Sequence, residues 1–454
     1  MDGRIPNEWV GCRFMKVRLY PVRKLGQVMA GRRKVLLALA STVCLGGLSA
    51  LGVGKVLSNR TLRPPTIPIP RSYFGLHLHR ADAGTPWPEA KFGSWRLWDA
   101  YVNWRHLEPQ RGYWDFKRLD KYVAMAKLTG VDILLPLALT PAWASARPLE
   151  KSPYGPGNAA EPYNLDDWRN YVRTVAKRYK GRIQHYELWN EPNIPDFFSG
   201  SPETLAKLAE EAYRILKDID PANQLAAPAV VGGKEHLLWL DRYLAAGGGK
   251  FMDALSHHFY VAQTHPEAML PMVEQVRKIA NKHGLSSMPL WNTEAGWWID
   301  HSDGTVTTEQ MVPGWKKLNA ADAAAYASRA LILGWAAGLA RYYWYAWDNY
   351  SMGMIEPTTK AMKPAGLAYA RTLEWLQGST MTGCEVTDDV WVCTLVRADG
   401  SKARLVWLEN EATRDWRPPG EWGIKETETL GGVRQKMNAT QMRLQLGSAP
   451  IYLL

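Results

Sequence analysis

The chain has 454 residues, 46% of them hydrophobic, with 55 Lys+Arg against 44 Asp+Glu and a formal charge of +11. This is enough apolar material for two or three domains, or for one large barrel with an appendage, and it excludes a disordered chain. The charge is confined: residues 1–34 carry nine Lys/Arg and two acids, residues 35–71 add four basic side chains and no acid, and residues 72–454 are formally neutral, which excludes a basic nucleic-acid footprint on the globular part.

The basic stretch 1–34 reads as a cytoplasmic N-terminus. Residues 35–54 follow without a single charge, long enough to cross a hydrocarbon core of about 30 Å, so 35–57 is predicted to be a transmembrane anchor. By the positive-inside rule the remainder of the chain lies outside; a cleaved, secreted form is the alternative. Residues 58–71 contain four prolines and read as a semi-rigid spacer.

From 72 to 378 short apolar runs alternate with helical patterns. Eight strands are predicted, at 72–79, 94–99, 131–139, 183–190, 224–230, 253–260, 288–294 and 341–347. The helices between them have legible ends. Asp115 is placed as an N-cap and Gly130 as the closing residue of one, and Ser201-Pro202-Glu203 opens another with cap, N1 proline and first-turn acid. Further helices are expected at 166–179, 235–246, 266–283, 320–338 and 364–377. An eightfold strand–helix alternation of this length predicts an α/β fold, a (β/α)₈ TIM barrel over 72–378. An open doubly wound sheet is disfavoured because no Gly-rich phosphate turn follows the first strand.

Beyond 379 the pattern becomes short alternating segments separated by turn residues, which predicts a small antiparallel, sandwich-like β domain over 379–454. Within it, a two-residue turn at Asp388-Asp389 sets Cys384 opposite Cys393, and a cross-strand disulfide is expected.

The chemistry concentrates in two segments. HYELWNEPN (185–193) is a strand stopped by Pro192 with Glu191 at its carboxyl end, where barrel catalysts sit. PLWNTEAGWW (289–298) is an apolar run ending in Glu294. Glutamates ending the fourth and seventh of eight strands fit a pair flanking one glycosidic bond.

With WNEPN (189–193), WNTEAGW (291–297) and HFY (258–260), the region 70–378 resembles the retaining (β/α)₈ glycosidases with Glu on strands four and seven. Within that clan it resembles glycoside hydrolase family 39, particularly membrane-associated endoglycosidases of bacterial exopolysaccharide biosynthesis. The resemblance implies Glu191 as general acid/base and Glu294 as nucleophile. It also implies Asn190 on the sugar 2-hydroxyl, Tyr260 on Glu294, His258 and Arg96 orienting the carboxylates, and Trp344 or Trp347 flooring the −1 site. His79 and Trp297 are further substrate-binding candidates, and Arg96 has an alternative as an ion-pair partner of Asp99. The adjacent His257 and His258 point to opposite faces of a strand, so one is a packed core histidine. Glu191 is expected to stay protonated and Glu294 ionised, at a carboxyl separation of about 5–5.5 Å.

Tryptophan is abundant, 22 against 8 Phe, and Trp87, Trp95, Trp98, Trp104, Trp143, Trp189, Trp297, Trp298 and Trp315 fall near strand ends or loops. Flat amphipathic rings suit pyranose faces, and enough of them for several subsites points to a polymer. The expectation is a retaining endo-acting hydrolase of an exopolysaccharide, tied to the inner membrane and to a synthesis or export complex. No nucleic acid, metal or cofactor is called for. An exo-β-glycosidase of xylosidase or iduronidase type and a glycan-binding assembly protein are the alternatives.

Overall fold

A computed structural model describes residues 59–306, 311–410, 412–437 and 443–454. The predicted anchor 35–57 lies outside the described residues; among those described, no helix is long and apolar enough to cross a membrane.

Eight parallel strands close into a barrel: β1 (Phe74–His77), β2 (Ser94–Arg96), β3 (Asp132–Leu137), β4 (His185–Leu188), β5 (Gln224–Val231), β6 (Ala254–His258), β7 (Leu290–Ala295) and β8 (Leu339–Trp344), with β8 pairing back to β1. Each expected strand is present, most of them shorter than its apolar run, because the last residues of several runs leave the ladder to form the barrel mouth. Around the barrel run α1 (Lys117–Thr129), α2 (Leu165–Arg178), α3 (Pro202–Ile219), α4 (Glu235–Ala245), α5 (Met269–Lys282), α6 (Ala320–Ala336) and α7 (Pro364–Leu376). The connection from β1 to β2 has no helix, as its proline and glycine content foretold.

Capping follows the sequence closely. The Ser201 hydroxyl accepts the Thr204 N–H with Pro202 at N1, and Gly130 ends α1 at φ 63°. Asp115 departs from expectation: Phe116 is the residue before the helix, and the Asp115 carboxylate accepts the Lys117 N–H from one position further out.

After α7 come β9 (Thr380–Thr387), β10 (Val390–Val396) and β11 (Lys402–Leu408), the centre of a seven-stranded antiparallel sheet. Asp388 and Asp389 take φ 51° and 67°, the left-handed pair of a tight hairpin, so Cys384 faces Cys393 and the two form a disulfide. The spacer reading of 58–71 needs correction: Arg60–Leu62 is a strand that pairs antiparallel with β9, and the buried Ile69 donates its N–H to the Ser379 carbonyl. The chain entering the barrel is thus held against the C-terminal sheet.

Side chains fill the barrel in layers. Leu134, Ala226, Ala254, Trp291 and Tyr343 form an apolar interior layer toward the amino ends of the strands. Gly75 has to be glycine there, because a Cβ would lie 2.4 Å from the Tyr343 ring.

Candidate active site

The layer above that apolar plug is charged. Arg96, the last residue of β2, is wholly buried and shares its guanidinium among three acceptors: Nε donates to Glu187 at 2.6 Å, Nη1 to Glu294 at 2.8 Å and Nη2 to Asn190 Oδ1 at 2.7 Å. Glu294 Oε1 also accepts the Tyr260 hydroxyl at 2.9 Å. On the other side of the mouth, Glu191 Oε1 lies 2.9 Å from Nδ1 of His258. One oxygen from each of Glu191 and Glu294 and a nitrogen of His258 all lie within 4.8 Å of one another. The two carboxylates keep 13% and 8% of their side-chain surface exposed, so both face an opening while their stems are packed.

Strict alternation along the strands does not produce this arrangement. On β4, Glu187 points inward, yet Trp189 packs outward on Trp168 and Phe198, while Asn190 and Glu191 both turn back into the mouth. Trp189 and Glu191 take φ 64° and 44°, and this left-handed backbone breaks the period of two. On β7, Trp291 points inward, so alternation sends Glu294 outward. The pairing with β8 inserts one extra residue between Asn292 and Ala295, and that bulge aims Glu294 at Arg96. Gly296 follows because a Cβ there would sit 2.2 Å from the Tyr345 carbonyl oxygen.

Electrostatics separate the two glutamates. Burial pushes Glu191 well above the usual carboxylate range, the charge of Glu294 adds to the shift, and Arg96 opposes it only partly. Burial also pushes Glu294 up to about 7, against the pull of Arg96 and of the Tyr260 hydroxyl and with a contribution from Asp99. Glu294 therefore loses its proton first. Arg96 and Tyr260 do not overcome the burial of Glu294, but they keep it more acidic than Glu191. Burial and the guanidinium of Arg96 hold His258 well below its ordinary value, so its ring is neutral. Glu191, Glu294 and His258 offer three ligand atoms, but the guanidinium 2.8 Å from Glu294 already supplies the positive charge a metal ion would bring.

Residues 92–304, short of half the chain, match the family described as "Glycosyl hydrolases family 39". The beta-xylosidases of Geobacillus stearothermophilus (26% identical, covering 31% of this chain and 33% of that protein) and Caldicellulosiruptor saccharolyticus (32%, covering 16% and 17%) are also similar. Over residues 92–304 the chain is similar to glycoside hydrolase family 39. It spans only about a third or less of the length of those curated relatives in the matched region. Among solved structures, a family 39 glycoside hydrolase from Bacteroides cellulosilyticus aligns over 86% of this chain and 82% of its own at TM-score 0.66 and 19% identity. The family 39 enzyme from Xanthomonas axonopodis pv. citri aligns over 90% and 99% at 0.58 and 16%. At such identities these two establish the shared fold.

In this family 39-like site the structure brings together Arg96, Asn190, Glu191, His258, Tyr260 and Glu294. His257 turns away to the Gly232 carbonyl, as strand parity required. His79 lies at the mouth, its ring 5.1 Å from that of Tyr345, its buried Nε2 without a hydrogen-bond partner among the described residues and its backbone N–H held by Asp348. Trp347 follows the end of β8, donates its backbone N–H to the His77 carbonyl and keeps a buried indole N–H that has no partner among the described residues.

Trp344 and Trp297 are not in the group. Trp344 has the parity opposite to the inward Tyr343, and Trp297 packs on it at 5.6 Å and on Tyr326 of α6, with its indole N–H on the Thr264 carbonyl. Both belong to the core outside the barrel. The Arg96–Asp99 pair is likewise replaced: Asp99 accepts the hydroxyls of Tyr154 and Tyr345. Of the nine tryptophans named near strand ends, only Trp87, Trp143 and Trp315 are partly exposed.

Glu187, which holds Arg96, and Tyr345, whose hydroxyl donates to Asp99, are additions that strand reading missed. Glu187 had a signal: an acid inside an apolar strand needs a buried cation, and Arg96 was the available one.

Proposed function

We propose that the chain is a retaining, endo-acting glycoside hydrolase that cleaves an exopolysaccharide by double displacement. The observation that supports the double-displacement part of this reading is the placement of Glu191 and Glu294 across one opening with an oxygen of each within 4.8 Å, in keeping with the roughly 5 Å spacing of retaining pairs. Glu294, the more acidic of the two and bound by Arg96 and Tyr260, attacks the anomeric carbon as a carboxylate. Glu191, protonated in its more apolar setting beside neutral His258, gives its proton to the leaving oxygen. It then takes a proton from the water that releases the sugar from Glu294. Asn190, with Oδ1 turned to Arg96, directs its amide N–H₂ away from the guanidinium, in the sense needed to donate to a sugar hydroxyl. Trp347 and His79 would supply further sugar contacts.

An inner-membrane tether through 35–57, with the barrel in the periplasm beside a polysaccharide synthesis or export complex, completes the proposal. A second reading, exo-acting β-xylosidase, is favoured by the names of the curated relatives. Incubation with a panel of exopolysaccharides, xylans and aryl β-glycosides discriminates between them. Oligosaccharides released from within a polysaccharide, with the β-anomer or α-anomer of the substrate preserved in the first NMR spectra, are the expected outcome. Terminal monosaccharide release alone would favour the second reading, and an inverted first product would overturn the mechanism.

A further inference from the structure

The connection between β6 and α5 does two things at once. Near its start it carries Tyr260, whose hydroxyl donates to Glu294 and whose ring stacks on Trp315 at 5.4 Å. Near its end it carries Glu267, which is buried and lies outside the site just described. Both oxygens of Glu267 are engaged. Oε1 accepts from Arg329 Nε at 2.8 Å and from Trp407 Nε1 at 3.0 Å; Oε2 accepts from Arg329 Nη2 and lies 2.9 Å from His265 Nδ1. Arg329 belongs to α6 and also donates to the Glu409 carbonyl at 2.9 Å, while Trp407 belongs to β11. One carboxylate therefore joins the active-site connection, a barrel helix and the C-terminal sheet.

The seam did not need an ion pair to close. Apolar side chains of similar volume would be at least as stable, so a buried carboxylate with its donors in fixed directions is better suited to setting a geometry than to adding stability. Between its two ends the connection is tied to the neighbouring loop, through the Thr264 carbonyl to Trp297 Nε1 at 3.0 Å and the Ala262 carbonyl to the Lys316 N–H at 2.8 Å. Displacement of Glu267 is thus passed along a short, packed segment to Tyr260.

We infer that Glu267 is a positioning residue through which the C-terminal sheet, by way of Trp407, holds Tyr260 in hydrogen-bond register with Glu294. The inference rests on the reading of Glu294 as nucleophile. It makes the C-terminal sheet part of what tunes the nucleophile.

The test uses the full chain and whichever panel substrate it cleaves. Trp407→Phe keeps an aromatic ring against Trp391 and removes the N–H that reaches Glu267 together with part of the buried indole's volume, a loss of packing that by itself moves no pH limb. Its expected effect is a loss in kcat/KM of roughly three- to tenfold, the span of a remote coupling, with the acidic limb of the pH profile moved upward. Tyr260→Phe moves the same limb in the same direction, and Trp407→Phe adds little to it in the double variant. Glu267→Gln, if it folds, reproduces the shift. An acidic limb unmoved in Trp407→Phe, or full additivity in the double variant, would overturn the inference, since a merely structural role lowers the melting temperature and the active fraction without moving the limb. Glu294→Gln assayed alongside keeps the two claims apart: activity surviving there sinks the nucleophile assignment, whereas an inactive Glu294→Gln with an unmoved limb in Trp407→Phe sinks only the positioning role. A full chain that cleaves no panel member would overturn both.

Discussion

Inside the ring of strands, two buried arginines among the described residues lie at its two ends, and they have been put to different use. Near the amino ends of the strands Arg341 donates to Ser94 Oγ at 2.6 Å and Asp132 at 3.2 Å, lies 2.9 Å from His185 Nε2, and covers the face of Trp291 at 4.7 Å. Its acid partner is about half exposed, so water shares the stabilisation of that pair. Near the carboxyl ends Arg96 is wholly enclosed and balances the fully buried Glu187 and the nearly buried Glu294. At the lower end the β7–β8 register shifts by one residue between Leu339 and Arg341. At the upper end left-handed residues just after β4 and a bulge on β7 turn carboxylates inward. One arginine closes a floor, while the other holds acids that would repel each other without it.

The largest expected effect tests whether the upper end is for chemistry at all. Glu191→Gln and Glu294→Gln should each lower hydrolysis by ~10⁴-fold or more while leaving circular dichroism and the melting temperature nearly unchanged, because Gln keeps the shape of each side chain. A variant retaining even a tenth of the activity would return that glutamate to a structural role.

Next, Arg96→Met should destabilise by about 3–5 kcal/mol in urea titration and abolish turnover, since it leaves Glu187 and Glu294 buried without a counter-charge. Arg341→Met should cost less than Arg96→Met and leave kcat/KM close to wild type. Equal losses in the two variants would erase the distinction between floor and site.

The smallest effect concerns pH. Glu294 must be ionised to attack, so kcat/KM should fall as pH drops through about 7; Glu191 must be protonated to donate, so it should fall again on the alkaline side. Tyr260 stabilises the ionised form of Glu294, and Tyr260→Phe should therefore move the acidic limb to higher pH with a modest loss of rate. A limb that stays in place or moves down would show that the hydroxyl does not act on the nucleophile.

The eight strands, the seven long helices, the two catalytic candidates and the Cys384–Cys393 pairing were all legible in the residues, because each rests on a local pattern. Apolar runs, caps, a proline after Glu191 and a two-residue turn depend on neighbours only a few positions apart. The contents of the mouth were less legible. Trp344 was placed in it from motif alone, although its parity is opposite to that of Tyr343, and Glu187 was passed over although an acid within a buried strand calls for a cation.

From sequence alone, then, came the barrel, the C-terminal sheet, the pair of glutamates and the concentration of positive charge in the first 71 residues. The tertiary structure decided which side of each strand end faces the opening. Side-chain direction follows a period of two only while the backbone stays regular, and the irregularities at Trp189, Glu191 and β7 are set by packing between distant segments. It also decided the proton order of the two glutamates, which depends on a guanidinium nearly two hundred residues away from Glu294, close enough in space to make a hydrogen bond.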